Sequence, residues 1–304
     1  MQTRTLGSLQ VSIVGLGCNN FGGRIDEAAT ALVVDAAIDA GINFLDTADV
    51  YGGTRSEEFL GRVLGKRRDQ VLLATKFGIK LDENRLGGAN PAYIRRAVED
   101  SLRRLQTDRI DLYQLHRPDT QTPIADTLGT LTELVTEGKV REVGCSNFSV
   151  AQLREAAAVP GAHFVSVQNE YSLFRREPEA DGVLAECEAT QVGFLPYFPL
   201  ASGLLTGKYR KGQPLPEGTR IQADSKWLTE ENLDTVEALI AFAEARGHTL
   251  LELAIAWLLS WPAVSSVIAG ATKPEQVHAN AAAARWTLTR EDQEGASALT
   301  NGLV

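Results

Sequence analysis

Short apolar runs alternate with amphipathic helical patterns along the whole chain, and no linker rich in Pro, Gly or Ser separates them. Eight runs read as strands: 13–17 (IVGLG), 43–46 (NFLD), 71–76 (VLLATK), 110–116 (IDLYQLH), 142–146 (EVGCS), 165–169 (VSVQN), 193–197 (GFLPY) and 266–269 (SVIA). Between them stand segments such as DEAATALVVDAAIDAG, PAYIRRAVEDSLRRL and PIADTLGTLTELVTEG, several opened by Asp or Pro and closed by Gly, as helix ends prefer. Strands that alternate with helices build a parallel sheet, because each crossover returns the chain to the same edge. Eight such units in 304 residues fit a single α/β domain, residues 1–304, folded as one (β/α)8 TIM barrel. A hairpin, TRTL-GS-LQVS with its turn at Gly7 and Ser8, precedes the first unit and is expected to close the bottom of the barrel.

The stretch VGLGCNNFGG offers a rival reading, since it follows a strand, precedes a helix and is followed by a strand that ends in an acid. Its details do not fit a dinucleotide fingerprint. Asn20 stands where the third glycine belongs, the helix starts only near Asp26, and Asp46 lies too far downstream.

Composition narrows the partners. The net charge of -9 provides no basic footprint for nucleic acid or an acidic membrane, and no apolar run reaches the length of a membrane span. The start MQTRTLGSLQ has no apolar core of a signal peptide, so a cytoplasmic protein is expected. Cys18, Cys145 and Cys187 are widely spaced without a CxxC, and the histidines are scattered; neither a disulfide framework nor a metal site is expected. Cys18, just after the first strand, reads as packing.

In a (β/α)8 barrel the C-terminal strand ends carry the site. Here those ends are polar: Asp46, Lys76, His116, Ser146 with Asn147, Gln168 with Asn169, and Tyr197. Each alone has a structural explanation, a helix cap for Asp46, a rim lysine for Lys76, a core histidine for His116. Together they share one mouth, which makes a common site the better account.

The stretches FLDTADVYGG (44–53), ATKFG (74–78), YQLHRPD (113–119), VGCSNFS (143–149), VQNEYS (167–172) and GATKPEQV (270–277) resemble the aldo-keto reductase superfamily, in order and over nearly the whole chain. The resemblance implies a catalytic tetrad of Asp46, Tyr51, Lys76 and His116. Physically, Lys76 would ease loss of the Tyr51 proton, Asp46 would hold Lys76 charged, and His116 would orient the carbonyl oxygen while Tyr51 donates its proton. No side chain can supply a hydride, so a nicotinamide is required; the resemblance implies NADP(H), with NAD(H) as the alternative, and no metal is expected.

By the same resemblance Tyr197 stacks on the nicotinamide, and Ser146, Asn147 and Gln168 bond its carboxamide, with Gly17 and Asp46 beside it. The loops after strands seven and eight commonly hold phosphate. Leu200, Gly203, Leu205 and Lys208 are the candidates in the first, with Arg220 farther along, and Gly270, Thr272, Lys273, Gln276 and Asn280 in the second. Many relatives carry Lys and Arg where this chain has Gly270 and Gln276, and an acid where it has Ala279. The expected preference for NADPH therefore rests on Lys273 and the helix start behind Pro274. Phe21, Phe77 and Trp227 are candidate walls for a medium-sized aldehyde, ketone or sugar substrate. Two other readings use the same residues: a nicotinamide-bound accessory subunit, as in potassium-channel β subunits, and a Schiff-base aldolase with Lys76 as nucleophile.

Overall fold

The computed structural model describes residues 1–80, 82, 87–161, 163–216, 219–222, 225 and 227–301. Strands β1 (Thr3–Leu6) and β2 (Leu9–Ser12) pair antiparallel across the Gly7–Ser8 turn. The parallel strands are β3 (Val14–Gly17), β4 (Phe44–Asp46), β5 (Leu72–Phe77), β6 (Ile110–Leu115), β7 (Val140–Ser146), β8 (Ser166–Gln168), β9 (Gly193–Phe194) and β10 (Val267–Gly270). They are hydrogen-bonded in the order β10, then β3 through β9. The seam between β9 and β10 is closed by Ser265 N donating to Phe194 O at 2.9 Å and Ile268 N donating to Pro196 O at 3.1 Å.

The apolar runs locate the strands within one or two residues, except the seventh. There only Gly193–Phe194 is regular strand. Pro196 has no N–H to extend a ladder, so the run continues through single bridges from Tyr197 to Glu170 and Ile268.

Helices α1 (Glu27–Asp39), α2 (Arg55–Leu64), α3 (Pro91–Leu105), α4 (Ile124–Thr136) and α5 (Val150–Ala157) follow the first strands of the barrel in turn. A short α6 (Glu177–Ala180) and α7 (Val183–Thr190) precede β9, α8 (Glu230–Glu244) and α9 (Leu250–Leu259) precede β10, and α10 (Pro274–Ala283) and α11 (Arg290–Ala298) end the fold. Their starts are set by local chemistry. Asp26 caps α1 by accepting from Ala29 N, Asn90 caps α3 ahead of Pro91, and Thr249 with Glu252 forms a capping box on α9. In the long irregular stretch 201–229, a 3-10 turn occupies Ala201–Thr206, and residues 217, 218, 223, 224 and 226 lie outside the described residues. No described helix is long and apolar enough to cross a membrane.

Side chains two residues apart on a strand share a face, and this period builds the barrel interior in layers. Phe44, Ala74, Leu112, Leu195 and Ile268 form a buried lower layer with Leu6, Leu9 and Val11 of the hairpin, which plugs the bottom. Truncating one of those leucines would cost about 2–5 kcal/mol. One step higher on the same strands stand Asp46, Lys76 and Gln114, and beside them Gln168, all buried. The opposite parity, including Leu45, Leu73 and Tyr113, packs outward in the core under the helices.

Candidate active site

A buried salt bridge lies at the centre of the upper layer. Lys76 Nζ donates to Asp46 Oδ2 at 2.6 Å and to the Thr47 carbonyl at 2.8 Å, and lies 3.4 Å from the Tyr51 hydroxyl. Asp46 Oδ1 accepts from Gln114 Nε2 and Gln168 Nε2, each at 3.1 Å. The carboxylate thus has donors on both oxygens. Tyr51 opens a 3-10 turn, Tyr51–Thr54. That turn lies so close to the loop after β3 that a Cβ on Gly52, where φ is +59°, would come 2.5 Å from the Phe21 carbonyl oxygen. The paired glycines after Tyr51 therefore let the turn fold over the barrel mouth. The His116 ring meets the Tyr51 ring edge-on at 5.8 Å.

Burial pushes the Tyr51 phenol above its usual pKa and outweighs Lys76, which pulls the other way. The sequence expectation that Lys76 eases ionisation is right in sign, yet desolvation wins and Tyr51 keeps its proton at neutral pH. For Lys76 burial works to lower the pKa, but Asp46 and then Tyr51 more than reverse it, so the ammonium persists. Burial first, then Lys76 and Arg117, take His116 down to about 3. Its imidazole is neutral, and Nδ1 has no hydrogen-bond partner among the described residues. A protonated phenol backed by an ammonium, beside a neutral imidazole, can give a proton to an oxygen on which charge develops.

The site opens into a cleft of about 690 Å³ at the C-terminal ends of the strands. Tyr51, His116, Ser146, Asn147 and Gln168 line its floor and Tyr197 one wall, with Gly17 and Gly270 also among the lining residues. The Tyr197 ring is anchored by its hydroxyl, which donates to Asn147 Oδ1 at 2.8 Å, while Asn147 Nδ2 donates to the His116 carbonyl at 3.0 Å. Leu200, Gly203, Lys208 and Arg220 line the far end, opposite Thr272, Gln276 and Asn280. Gln276 Oε1 accepts from Thr272 N at 2.8 Å and so ties the loop before α10 to its first turn. Backbone strain gathers here: Asn147, Phe198, Ala201 and Ser202 all have positive φ without being glycine.

The aldo/keto reductase family model matches residues 13–299. The chain belongs to that family. Among curated relatives it is 37% identical to the aldo-keto reductase YhdN of Bacillus subtilis, covering 97% of this chain and 92% of that one. Among solved structures it is similar to the aldo-keto reductase AKR11C1 from Bacillus halodurans in its holo form, with 35% identity and a TM-score of 0.83 over 98% of this chain and 96% of that one. It is also similar to the glycerol dehydrogenase AKR11B4 from Gluconobacter oxydans, with 34% identity and a TM-score of 0.86 over 98% and 94% of the two chains. The protein is thus an oxidoreductase of the aldo/keto reductase type with that family's barrel.

Five residues expected in this reductase's cleft lie elsewhere. Phe77 follows Lys76, so the strand period turns it outward, where it stacks on Tyr113 at 4.6 Å between ring centroids. Phe21 is wholly buried in the core beneath the loop after β3. Trp227 packs edge-on against Phe174, with the Arg175 guanidinium 5.5 Å over its ring. Leu205 is fully buried, and its N–H is committed to Leu200 O. Lys273 is exposed at the start of α10 and is not among the residues lining the cleft.

Conversely, Gln114, Arg24, Arg117, Glu170 and Phe198 belong to the site or its walls without having been singled out in the sequence. Gln114 carried a readable signal, since it lies two residues before His116 and therefore on the inward face. The others sit in loops, where no period marks them. Cys18 is fully buried against the cleft floor, and burial pushes its thiol well above the usual value.

Proposed function

We propose that the protein is an NADP(H)-dependent reductase of aldehyde, ketone or sugar carbonyls, with Tyr51 as the proton donor. The observation that carries this reading is the buried chain Asp46–Lys76–Tyr51 opening beside His116 into a cleft of about 690 Å³. The residues present fit the cofactor. Arg24, Arg117, Lys208 and Arg220 all line the cleft, and none has a carboxylate within salt-bridge distance among the described residues. In a chain of net charge -9 this is a local positive lining suited to phosphates.

The bound nicotinamide would supply the hydride. Tyr197, anchored by Asn147, would provide the flat wall for its ring, with Ser146, Asn147 and Gln168 as polar partners of its carboxamide. Lys208, Arg220, Thr272 and Gln276, with Gly203 and Gly270 allowing close backbone approach, would face the phosphates. His116, neutral, would donate a hydrogen bond to the substrate oxygen and orient it. Tyr51 would pass its proton to that oxygen, and Lys76, kept charged by Asp46, would stabilise the phenolate left behind. The partner is a small carbonyl compound. The test is a carbonyl panel followed at the absorbance of the reduced cofactor, with NADPH and NADH in parallel. Turnover with any aldehyde or ketone that vanishes in Tyr51→Phe supports the reading; no turnover with either cofactor removes it.

A further inference from the structure

Gln114 takes no part in the roles above, yet its side chain is fully buried and, among the described residues, its one side-chain hydrogen bond goes to the centre of the site. It stands on β6 directly across from Lys76 in the strand register, one inward step above Leu112. Room for it comes from the next strand. A Cβ on Gly144 would lie 2.3 Å from Ser166 Oγ and 3.2 Å from Gln114 Cγ, so the bare backbone there leaves both side chains their room. Its Oε1 has no hydrogen-bond partner among the described residues. A buried unpaired amide oxygen is costly, and the arrangement retains it for the sake of the bond that Nε2 makes.

Gln168 offers Asp46 Oδ1 an identical bond, but Gln168 also lines the cleft, where a ligand can compete for it. Gln114 does not line the cleft. We infer that Gln114 is the permanent positioning residue of the proton-donor chain: it fixes Asp46 Oδ1 from beneath, so that Oδ2 stays on Lys76 while Gln168 exchanges between Asp46 and a bound ligand. This rests on the reductase reading for its kinetic consequence and on the hydrogen-bond geometry alone for its structural one.

Two substitutions test it. Gln114→Leu removes the donor and keeps the volume. Cofactor affinity stays near the wild-type value and kcat falls about tenfold or more, because the bond acts on the donor and not on ligand binding. Gln114→Glu keeps the shape, and its carboxyl can donate to Asp46 only while protonated. Burial and the Asp46 carboxylate raise the introduced group's pKa, and the Lys76 ammonium, across the strand register and already paired with Asp46, opposes them more weakly, so the group holds its proton above the usual range for Glu. Its kcat should therefore approach that of wild type at acid pH and fall as pH rises, with an apparent pKa that wild type lacks. Stability follows the same sign: the folded form binds the proton more tightly than the unfolded chain, so the variant's stability relative to wild type is greatest at low pH and declines as pH rises through the folded pKa.

This denaturation arm needs no turnover. If wild type reduces no carbonyl, the reductase reading fails while the stability profile still reports the Gln114–Asp46 bond. Wild-type kcat in Gln114→Leu, or a Gln114→Glu variant whose rate and relative stability are both flat with pH, would overturn the inference.

Discussion

Lys76 Nζ lies 2.6 Å from Asp46 Oδ2, and both side chains are buried, with exposures of 0% and 4%. A buried pair of this kind resists the loss of one partner more than the loss of both, since the survivor is left charged without compensation. Lys76→Met should therefore destabilise the protein by about 3–5 kcal/mol, and the double variant with Asp46→Asn should regain part of that loss. Denaturant unfolding of the two single variants and the double variant measures it. Simple additivity would mean that the pair is not coupled.

Tyr51→Phe leaves the ring and its edge-on contact with His116 but removes the hydroxyl beside Lys76. Carbonyl reduction should drop by about 10²- to 10⁴-fold, the usual range for a general acid, with cofactor affinity and melting temperature little changed. Steady-state rates beside a fluorescence titration separate the two effects. A rate within a factor of about three of wild type would exclude Tyr51 as donor.

His116 titrates at about 3 in the folded chain against an ordinary 6.5. The unfolded chain binds this proton at a pH where the folded one does not, so the group's contribution to stability is full above the unfolded value and is lost as pH falls from about 6.5 toward 3. The ring proton shifts of His116 should stay those of a neutral imidazole from pH 8 to about 5 by NMR. A midpoint near the ordinary value would show that His116 is solvated.

Discrimination between the two nicotinamide dinucleotides should depend on cations that reach the cleft. Arg220 lines it, stacked 4.9 Å from the Phe198 ring centroid, whereas Lys273 is exposed outside it. Burial lowers the Arg220 pKa, with Arg24 acting in the same direction, a placement that an anion between the two would relieve. Arg220→Ala should weaken NADPH by about tenfold, on the order of 1.4 kcal/mol, with a smaller effect on NADH. Lys273→Ala, measured at the same salt concentration, should do less. Equal weakening of both cofactors by Arg220→Ala, or a larger selective loss from Lys273→Ala, would reverse the assignment.

The sequence disclosed those parts of the molecule that obey a period. Alternating runs located the strands because a parallel barrel buries both faces of each one, and the ends Asp46, Lys76, Ser146 and Gln168 were conspicuous as polar groups closing apolar runs. The final residue of a strand is only the uppermost inward position. Gln114, one step lower than His116, was hidden by that focus, and Phe77 was misplaced although its parity against Lys76 directs it outward. Arg24, Phe198 and the setting of Lys273 were not legible, since loop residues are positioned by turn geometry and contacts remote in sequence. The shortness of β9 was foreshadowed only by Pro196.

Asn147 holds its backbone at φ +62° while its amide joins the Tyr197 hydroxyl to the His116 carbonyl. Glycine would hold that conformation with roughly 1 kcal/mol less backbone strain, a gain confined to the main chain. The chain would then lose the strut that keeps the aromatic wall upright and the histidine strand in step with its neighbour. Phe198, Ala201 and Ser202 pose the same choice nearby. The mouth of this barrel is thus where attempts at thermostabilisation and retention of activity should diverge most sharply, while the plugged lower end can be strengthened without touching the chemistry.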